Sequence, residues 1–385
     1  MKEAGARYTA THPDVTFNIV DFAKGDMETK LQAQLASGTT EGLPDIVLIE
    51  DYGAQKYLQS FPGAFEPLNA KIDYSQFAKY KVDLAAVGDK TYSLPFDSGV
   101  TGLLYRSDLL AQAGYKDADL QDITWDQYLD IAKAVKAKTG HPMLDIDLND
   151  AGAIRIMMQS VGTRYFKADG SANIKDNPAF KAALTTYAKI LQTPDVLQTP
   201  DVWKPVSGWT DYTGGFTSGE VASVFTGVWM TATIKAAKMD GKWAVAPLPK
   251  LAGVDGAGHA SNLGGSSWYV LSSAKSKDAA IDFLANEWGK DSDFYQKILV
   301  GQGALATYLP ARDGSAYQAA DAYFGGQAVW QNFTIWLAAI PGVNYGIFTN
   351  EADAAVNAQI PALAKGGSVD DAIAAIDAQI TQQIQ

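Results

Sequence analysis

The run PDIVLIE at 44–50 narrows the choice of fold more than any other segment of this chain. A continuous apolar stretch of this length reads as a strand covered on both faces, the kind found in a parallel sheet. Such a sheet needs crossover helices, and the flanking periods supply them. VTFNIVDF at 15–22 reads as a strand, Met27, Leu31 and Leu35 recur at helical spacing as far as Gly38, and a second helical pattern runs through Tyr57 and Leu58 after residue 50. The order is β-α-β-α, and it implies a sheet with covering helices.

Beyond Arg106 the pattern turns mostly helical. Thr124 and Gln127 form a capping box ahead of an apolar face of Tyr128, Ile131, Ala132 and Val135. Pro178 follows Asp176-Asn177 at a helix start, with Phe180, Leu184, Tyr187 and Leu191 as the stripe. From 264, GGSSWYVLSSAKSKDAAIDFLANEW reads as two glycines, a strand, a polar turn and a helix facing inward through Ile281, Leu284 and Trp288. The tail ends in two helices, the last carrying Val369, Ile373, Ile376 and Ile380, and TPDVLQTPDV at 193–202 reads as a local duplication in a loop.

A chain of 385 residues exceeds what one hydrophobic core usually organises, so two lobes are expected. The formal charge of −12 comes without any lysine-arginine block, which argues against nucleic acid as a partner. With no cysteine, thiolate chemistry and Cys-ligated zinc are excluded, and the three histidines, His12, His141 and His259, lack metal-ligand spacing. There is no apolar run of about 18 residues and no signal-peptide pattern at the start, so the chain as given is expected to be a soluble body. Nine tryptophans and eighteen tyrosines invite a search for a ring-lined cleft.

TYSLPFDSGVTGLLYRSDLL at 91–110 fits no ordinary element, because Pro95, Gly99 and Gly102 would weaken a continuous strand around the acid Asp97. Together with THPDVTFNIVDF, KLQAQLASG, PDIVLIEDYGAQKYLQS, TWDQYLDIAKAV, FTSGEVASVFTGVWM, GGSSWYVLSSAKSKDAAIDFL and GGSVDDAIAAI, it resembles, in order along the chain, the extracytoplasmic solute-binding proteins of ABC importers. Within them the chain is most similar to the sugar- and oligosaccharide-binding, maltose-binding-protein-like group. The resemblance implies an α/β, two-lobed, type II periplasmic-binding-protein-like fold with ligand held between lobes by hinge closure. It implies an N-terminal lobe of 1–102 plus 266–310 and a C-terminal lobe of 103–265 plus 311–385. Residues 91–110 are then the first crossover. Family members begin with a short strand ahead of a full first helix, whereas this chain opens inside that helix at MKEAGARYTA, so the first strand is expected to be missing here.

The same resemblance implies a receptor without catalysis or cofactor, a mono- or oligosaccharide ligand, permease subunits as partners, and a monomer. It places the protein outside the cytoplasm, as a surface lipoprotein or in the periplasm, with any lipid anchor lying outside this chain. Trp229, after the glycine of TGVWM, is the first candidate for ligand contact, since sugar C–H faces stack on aromatic planes; the alternative is a core tryptophan. Asp51 and Tyr52 follow a strand's carboxyl end, where open α/β sheets bind ligands, although Asp51 could equally cap the next helix. Asp97 is a contact between lobes or a turn residue. Gly264, Gly265 and Ser266 offer backbone amides to a ligand or merely bend into the next strand. Trp209, Asn344 and Tyr345 are loop candidates, Trp330 and Trp336 read as helix core, and Trp125, Trp243, Trp268 and Trp288 are assigned to packing.

DIDLND at 145–150 has the alternating acids of a calcium loop, but Asp150 stands where glycine is required and Ile156 where glutamate is required, so no metal is expected. The rival readings are a glycoside hydrolase, which needs two carboxyls at a set separation, and a binder of a non-sugar solute. No nucleophile elbow, phosphate loop or dinucleotide fingerprint is present.

Overall fold

The computed structural model describes residues 1–385 apart from 23, 168, 194–201 and 385. The duplication expected in 193–202 therefore falls largely outside the described residues. Unit one comprises Met1–Ser98, Gly265–Val300 and Ala306–Gly314, and unit two comprises Gly99–Gly264, Gly301–Leu305 and Ser315–Gln385. The strands among the described residues are β1 (Ile46–Glu50), β2 (Ala86–Val87), β3 (Lys90–Thr91), β4 (Ser93–Arg106), β5 (Leu144–Asp147), β6 (Trp203–Val206), β7 (Ser223–Gly227), β8 (Trp243–Ala246), β9 (Asn262–Val270) and β10 (Leu305–Ala306). The chain leaves unit one inside β4 and re-enters it inside β9.

In unit one, PDIVLIE forms a strand from Ile46, but not the doubly covered parallel strand expected. β1 runs antiparallel to β9, with Ile46 opposite Val270 and Glu50 opposite Ser266. Only Val47 and Ile49 are buried; they join Leu31, Ala54, Tyr57, Leu58, Phe65 and Tyr269, while Ile46, Leu48 and Glu50 stay partly exposed. A continuous apolar run fixes the strand, not the number of covered faces.

Residues 15–22 form no strand. They keep the period of two, with Val15, Phe17 and Ile19 half-buried and Thr16, Asn18 and Val20 exposed. Phe17 packs against Phe283 at 4.6 Å between ring centroids and edge-on against Tyr8 at 6.1 Å. Alternation prescribes which side chains turn inward, whereas a ladder also needs a neighbour, and none pairs here among the described residues.

β4 is continuous over fourteen residues despite its proline and glycines. The glycines serve close approach, not a bend: a β-carbon on Gly99 would lie 2.2 Å from the Leu263 carbonyl oxygen, and one on Gly102 would lie 2.8 Å from the Trp336 ring.

In unit two, β4 lies between β7 and β8, both antiparallel, with Leu103 opposite Phe225 and Ala246. β5 and β6 pair in parallel, Asp145 opposite Lys204. Three helices follow their sequence signals closely. Trp125–Thr139 carries a reciprocal Thr124–Gln127 capping box and ends on left-handed Gly140. Pro178–Leu191 is capped by Asn177, whose Oδ1 accepts the amides of Ala179 at 3.0 Å and Phe180 at 3.1 Å. Val369–Gln383 buries Ile373, Ile376 and Ile380. Trp125, Trp243 and Trp288 are buried, and Trp268 is half-buried 5.7 Å from Phe96 and 5.8 Å from Trp288.

The helix after β9 departs from the expected face. Lys277–Phe283 continues into a π-helical turn, Leu284–Trp288, so the inward set is Ala280, Phe283, Leu284, Glu287 and Trp288, with Ile281 only partly buried.

Candidate functional site

Unit one brings three of the sequence candidates into one polar chain through a residue the sequence did not point to. Asp51 is the first residue of the helix Asp51–Ser60; Glu50 occupies the cap position, so Asp51 does not cap it with its side chain. The carboxylate is 3 % exposed. Its Oδ1 accepts a hydrogen bond from Nζ of the fully buried Lys81, and its Oδ2 has no hydrogen-bond partner among the described residues. Lys81 Nζ also donates to the Ser266 carbonyl oxygen at 2.9 Å. Ser266 in turn donates its amide at 2.8 Å and its hydroxyl at 2.6 Å to Asp97 Oδ1.

Burial raises the Asp51 carboxyl to about 6 even though Lys81 pulls it down, with Asp97 and Glu50 adding to the rise. Asp97 lies within β4, so it is no turn residue; it is part-exposed with one oxygen engaged by Ser266. Tyr52 is half-buried on the same helix as Asp51. A lysine inside KYKVDL has the local signature of a solvated helix face, so nothing in its neighbours betrays that Lys81 is buried.

Unit two holds the aromatic group. β7 is buried along its whole length and ends at Gly227. Trp229 follows, half-buried, at the cap position of the helix Met230–Lys235. Its Nε1 donates to the Leu263 carbonyl oxygen at 3.0 Å. A β-carbon on Gly227 would sit 2.1 Å from that Nε1, and one on Gly264 would sit 3.1 Å from it. The indole edge therefore lies in a slot between two glycine α-carbons, which is the physical reason for glycine two residues before the tryptophan. Gly264 and Gly265, within β9, both have φ of +84°, a conformation that glycine adopts readily. The Gly264 carbonyl is held by Asn262 Nδ2 at 2.8 Å.

Trp209 is 57 % exposed on the helix Gly208–Ser218, so it is not in a loop. Its ring centroid is 5.8 Å from that of Trp229 at a 37° tilt, and 6.1 Å from Tyr212, one turn further along. The two indoles thus form one apolar platform, partly open to solvent, with Tyr212 beside it. Asp147 Oδ2 accepts the Gly208 amide at 2.8 Å and fixes the start of this helix.

Of the remaining loop candidates, Tyr345 is turned inward and Asn344 is half-buried. Tyr345 is buried; its hydroxyl accepts from Asn262 at 3.2 Å and donates to Gln159 at 3.1 Å. Asn344 bonds the Lys167 carbonyl at 2.9 Å and accepts the Gly346 amide at 3.0 Å, which ties its own loop together. The acids of 145–150 serve local structure: Asp147 Oδ1 accepts the Asn149 amide and Asp150 Oδ1 accepts the Gly152 amide. Among the described residues no group of three or more His, Asp or Glu is placed to hold a metal, and no helix is long and apolar enough to cross a membrane.

Against known proteins, residues 3–325 match the family described as bacterial extracellular solute-binding protein. A lactose-binding protein of Rhizobium radiobacter is 60% identical over 386 residues, spanning 100% of this chain and 90% of that protein. Among solved structures, the GacH receptor of Streptomyces glaucescens GLA.O, described unliganded and with acarbose, superposes with a TM-score of 0.80 at 18% identity, over 99% of this chain and 93% of that one. The galacto-N-biose-/lacto-N-biose I-binding protein of an ABC transporter from Bifidobacterium longum, in complex with lacto-N-biose, gives 0.79 at 21% identity, over 100% of this chain and 92% of that one. The fold is therefore the α/β, type II periplasmic-binding-protein-like one that the sequence led us to expect.

Proposed function

Because the chain belongs to the bacterial extracellular solute-binding proteins, we propose that it is a carbohydrate receptor which delivers its ligand to the permease of an ABC importer without transforming it. The observation that carries this reading is the Trp209–Trp229 platform, two tilted indoles 5.8 Å apart with the outer one largely exposed. Apolar ring faces of this kind suit the C–H faces of pyranoses, and polar groups around them orient hydroxyls. The 60% identical relative is a lactose-binding protein, which makes a disaccharide such as lactose the first ligand to try. Asp97, part-exposed and held by Ser266, is our candidate hydrogen-bonding carboxylate in unit one. Hinge motion where the chain passes between units is the proposed mode of capture. The protein works as a monomer outside the cytoplasm, as a surface lipoprotein or in the periplasm.

A hydrolase would need a free pair of carboxyls beside the platform. Asp147, which holds the start of the Trp209 helix, is engaged by backbone amides on both oxygens.

Titration calorimetry with lactose and with arabino-oligosaccharides tests the reading. Trp229→Ala removes an aromatic anchor and is expected to cost about 2 kcal/mol, roughly thirtyfold in affinity. The sugar should be recovered intact after prolonged incubation. Steady hydrolysis by the pure protein, or full affinity in Trp229→Ala with a collapsed melting temperature, would overturn the assignment.

A further inference from the structure

Asp145 lies on β5, directly beneath the helix that carries Trp209, and the functions described so far do not use it. It is 6 % exposed, and neither carboxyl oxygen has a hydrogen-bond partner among the described residues. A buried carboxylate left so bare is costly to ionise, so the arrangement needs a reason. Its contact is specific. A β-carbon on Gly215 would lie 1.8 Å from Asp145 Oδ2, so the carboxyl is pressed against the α-carbon of the one residue type that admits it. Gly215 is buried in the last turn of the Gly208–Ser218 helix, where its carbonyl takes the capping Gly219 amide. Two residues along β5, Asp147 takes the amide of Gly208 at the start of the same helix. Successive acids on one strand therefore seat both the start and the last turn of the helix whose second residue is Trp209.

We propose, resting on the platform reading above, that Asp145 is a positioning residue for sugar binding: its carboxyl seats the 208–218 helix, and with it Trp209, only while neutral, so that affinity falls as pH rises.

Burial favours that neutral state, and the nearest charges offset it only in part. Lys204, the cross-strand partner on β6, pulls the carboxyl down, but its ammonium is engaged by Glu220, an anion that pushes it back up. The seated helix brings Asp211 and Tyr212, the strand and its loop bring Asp147 and Asp150, and the 178–191 helix brings Tyr187, none of them cationic. Arg155 is paired with Asp353 and Asp150, Lys235 of the Met230–Lys235 helix with Asp321, and His141 leans on the Glu220 carbonyl. Burial lifts the Asp145 carboxyl to about 7, from 3.8 when free.

The sign follows from linkage. The seated form holds its proton up to about pH 7 while the opened form releases it near 3.8. Between these values each unit of pH favours opening by up to about tenfold, and above about 7 the effect levels off.

The test uses the full chain. Hydrogen exchange of the 208–218 amides, corrected for intrinsic rate, is followed from pH 5 to 8, and lactose affinity is measured by calorimetry at pH 5.5 and 7.5 for wild type, Asp145→Asn and Trp229→Ala. We expect wild-type protection of the helix to fall with pH and its affinity to drop between pH 5.5 and 7.5, by at most about 25-fold. Asp145→Asn, permanently neutral, should hold both nearly constant. Equal protection and affinity at the two pH values in wild type, or a wild-type pH profile retained in Asp145→Asn, would overturn the inference. If Asp145→Asn does not fold, wild-type exchange decides alone. Loss of lactose binding in Trp229→Ala together with a flat wild-type profile removes only this inference, whereas undiminished binding in Trp229→Ala removes the platform.

Discussion

Replacing Lys81 by Met should convert Asp51 from a tolerated buried acid into one that destabilises the protein increasingly with alkalinity. In the wild type the Asp51 carboxyl titrates at about 6, against 3.8 unperturbed, with burial as the main cause and Lys81 opposing it. The folded protein therefore binds this proton more tightly than the unfolded chain. Its contribution to stability is complete below about pH 4, is lost between about 4 and 6, and is constant above 6. Among the described residues Lys81 gives the Asp51 carboxylate its hydrogen bond at Oδ1, and Oδ2 has none. Without the ammonium the carboxyl rises further, so the loss should continue through pH 8. Each unit of pH in that extended window costs up to about 1.4 kcal/mol, so Lys81→Met should lose about 2 to 3 kcal/mol relative to wild type between pH 6 and 8. This is in line with the cost of breaking other buried pairs, about 3–5 kcal/mol. Urea unfolding at pH 6, 7 and 8 reads the difference directly, and Asp51→Asn in the Lys81→Met background should abolish it. Parallel stability curves for Lys81→Met and wild type across that range would refute the assignment of Lys81 as the group that keeps Asp51 ionisable.

Gly264→Ala meets both a φ of +84° and a Trp229 Nε1 at 3.1 Å, so we expect about 1–2 kcal/mol of strain and a roughly tenfold loss of sugar affinity by calorimetry. Tyr345→Phe deletes a hydroxyl shared by Asn262 and Gln159, and should lower stability in urea by about 1–2 kcal/mol while leaving sugar affinity as it was. Asn177→Ala removes the cap on two amides of the 178–191 helix and should cost about 1 kcal/mol in the same assay, with no effect on binding.

What the sequence determined by itself is what short-range physics encodes. The helices 125–139, 178–191 and 369–383 were legible because their caps and their apolar stripes lie within a few residues of one another. The order of motifs likewise carried the family and the fold. Trp229 was a candidate because the resemblance places an aromatic after that glycine, although that the glycine makes room for the indole edge emerged only with Leu263 and Gly264 in place.

Everything that depended on a distant partner was decided by tertiary structure. Residues 15–22 carry a strand's alternation without a strand, since a ladder is made by two segments. Asp51 reads the same in sequence whether it caps a helix or meets a ligand, and nothing near it betrays the buried Lys81, thirty residues on, that holds its carboxylate. Asp97 and Ser266 are 169 residues apart and their bond leaves no local trace. Asp145 looked like one of several loop acids, and only the folding of Gly215 onto it made it a buried, unpartnered carboxyl. Burial and pairing are properties of the space around a side chain, and that space is filled by residues the local sequence does not contain.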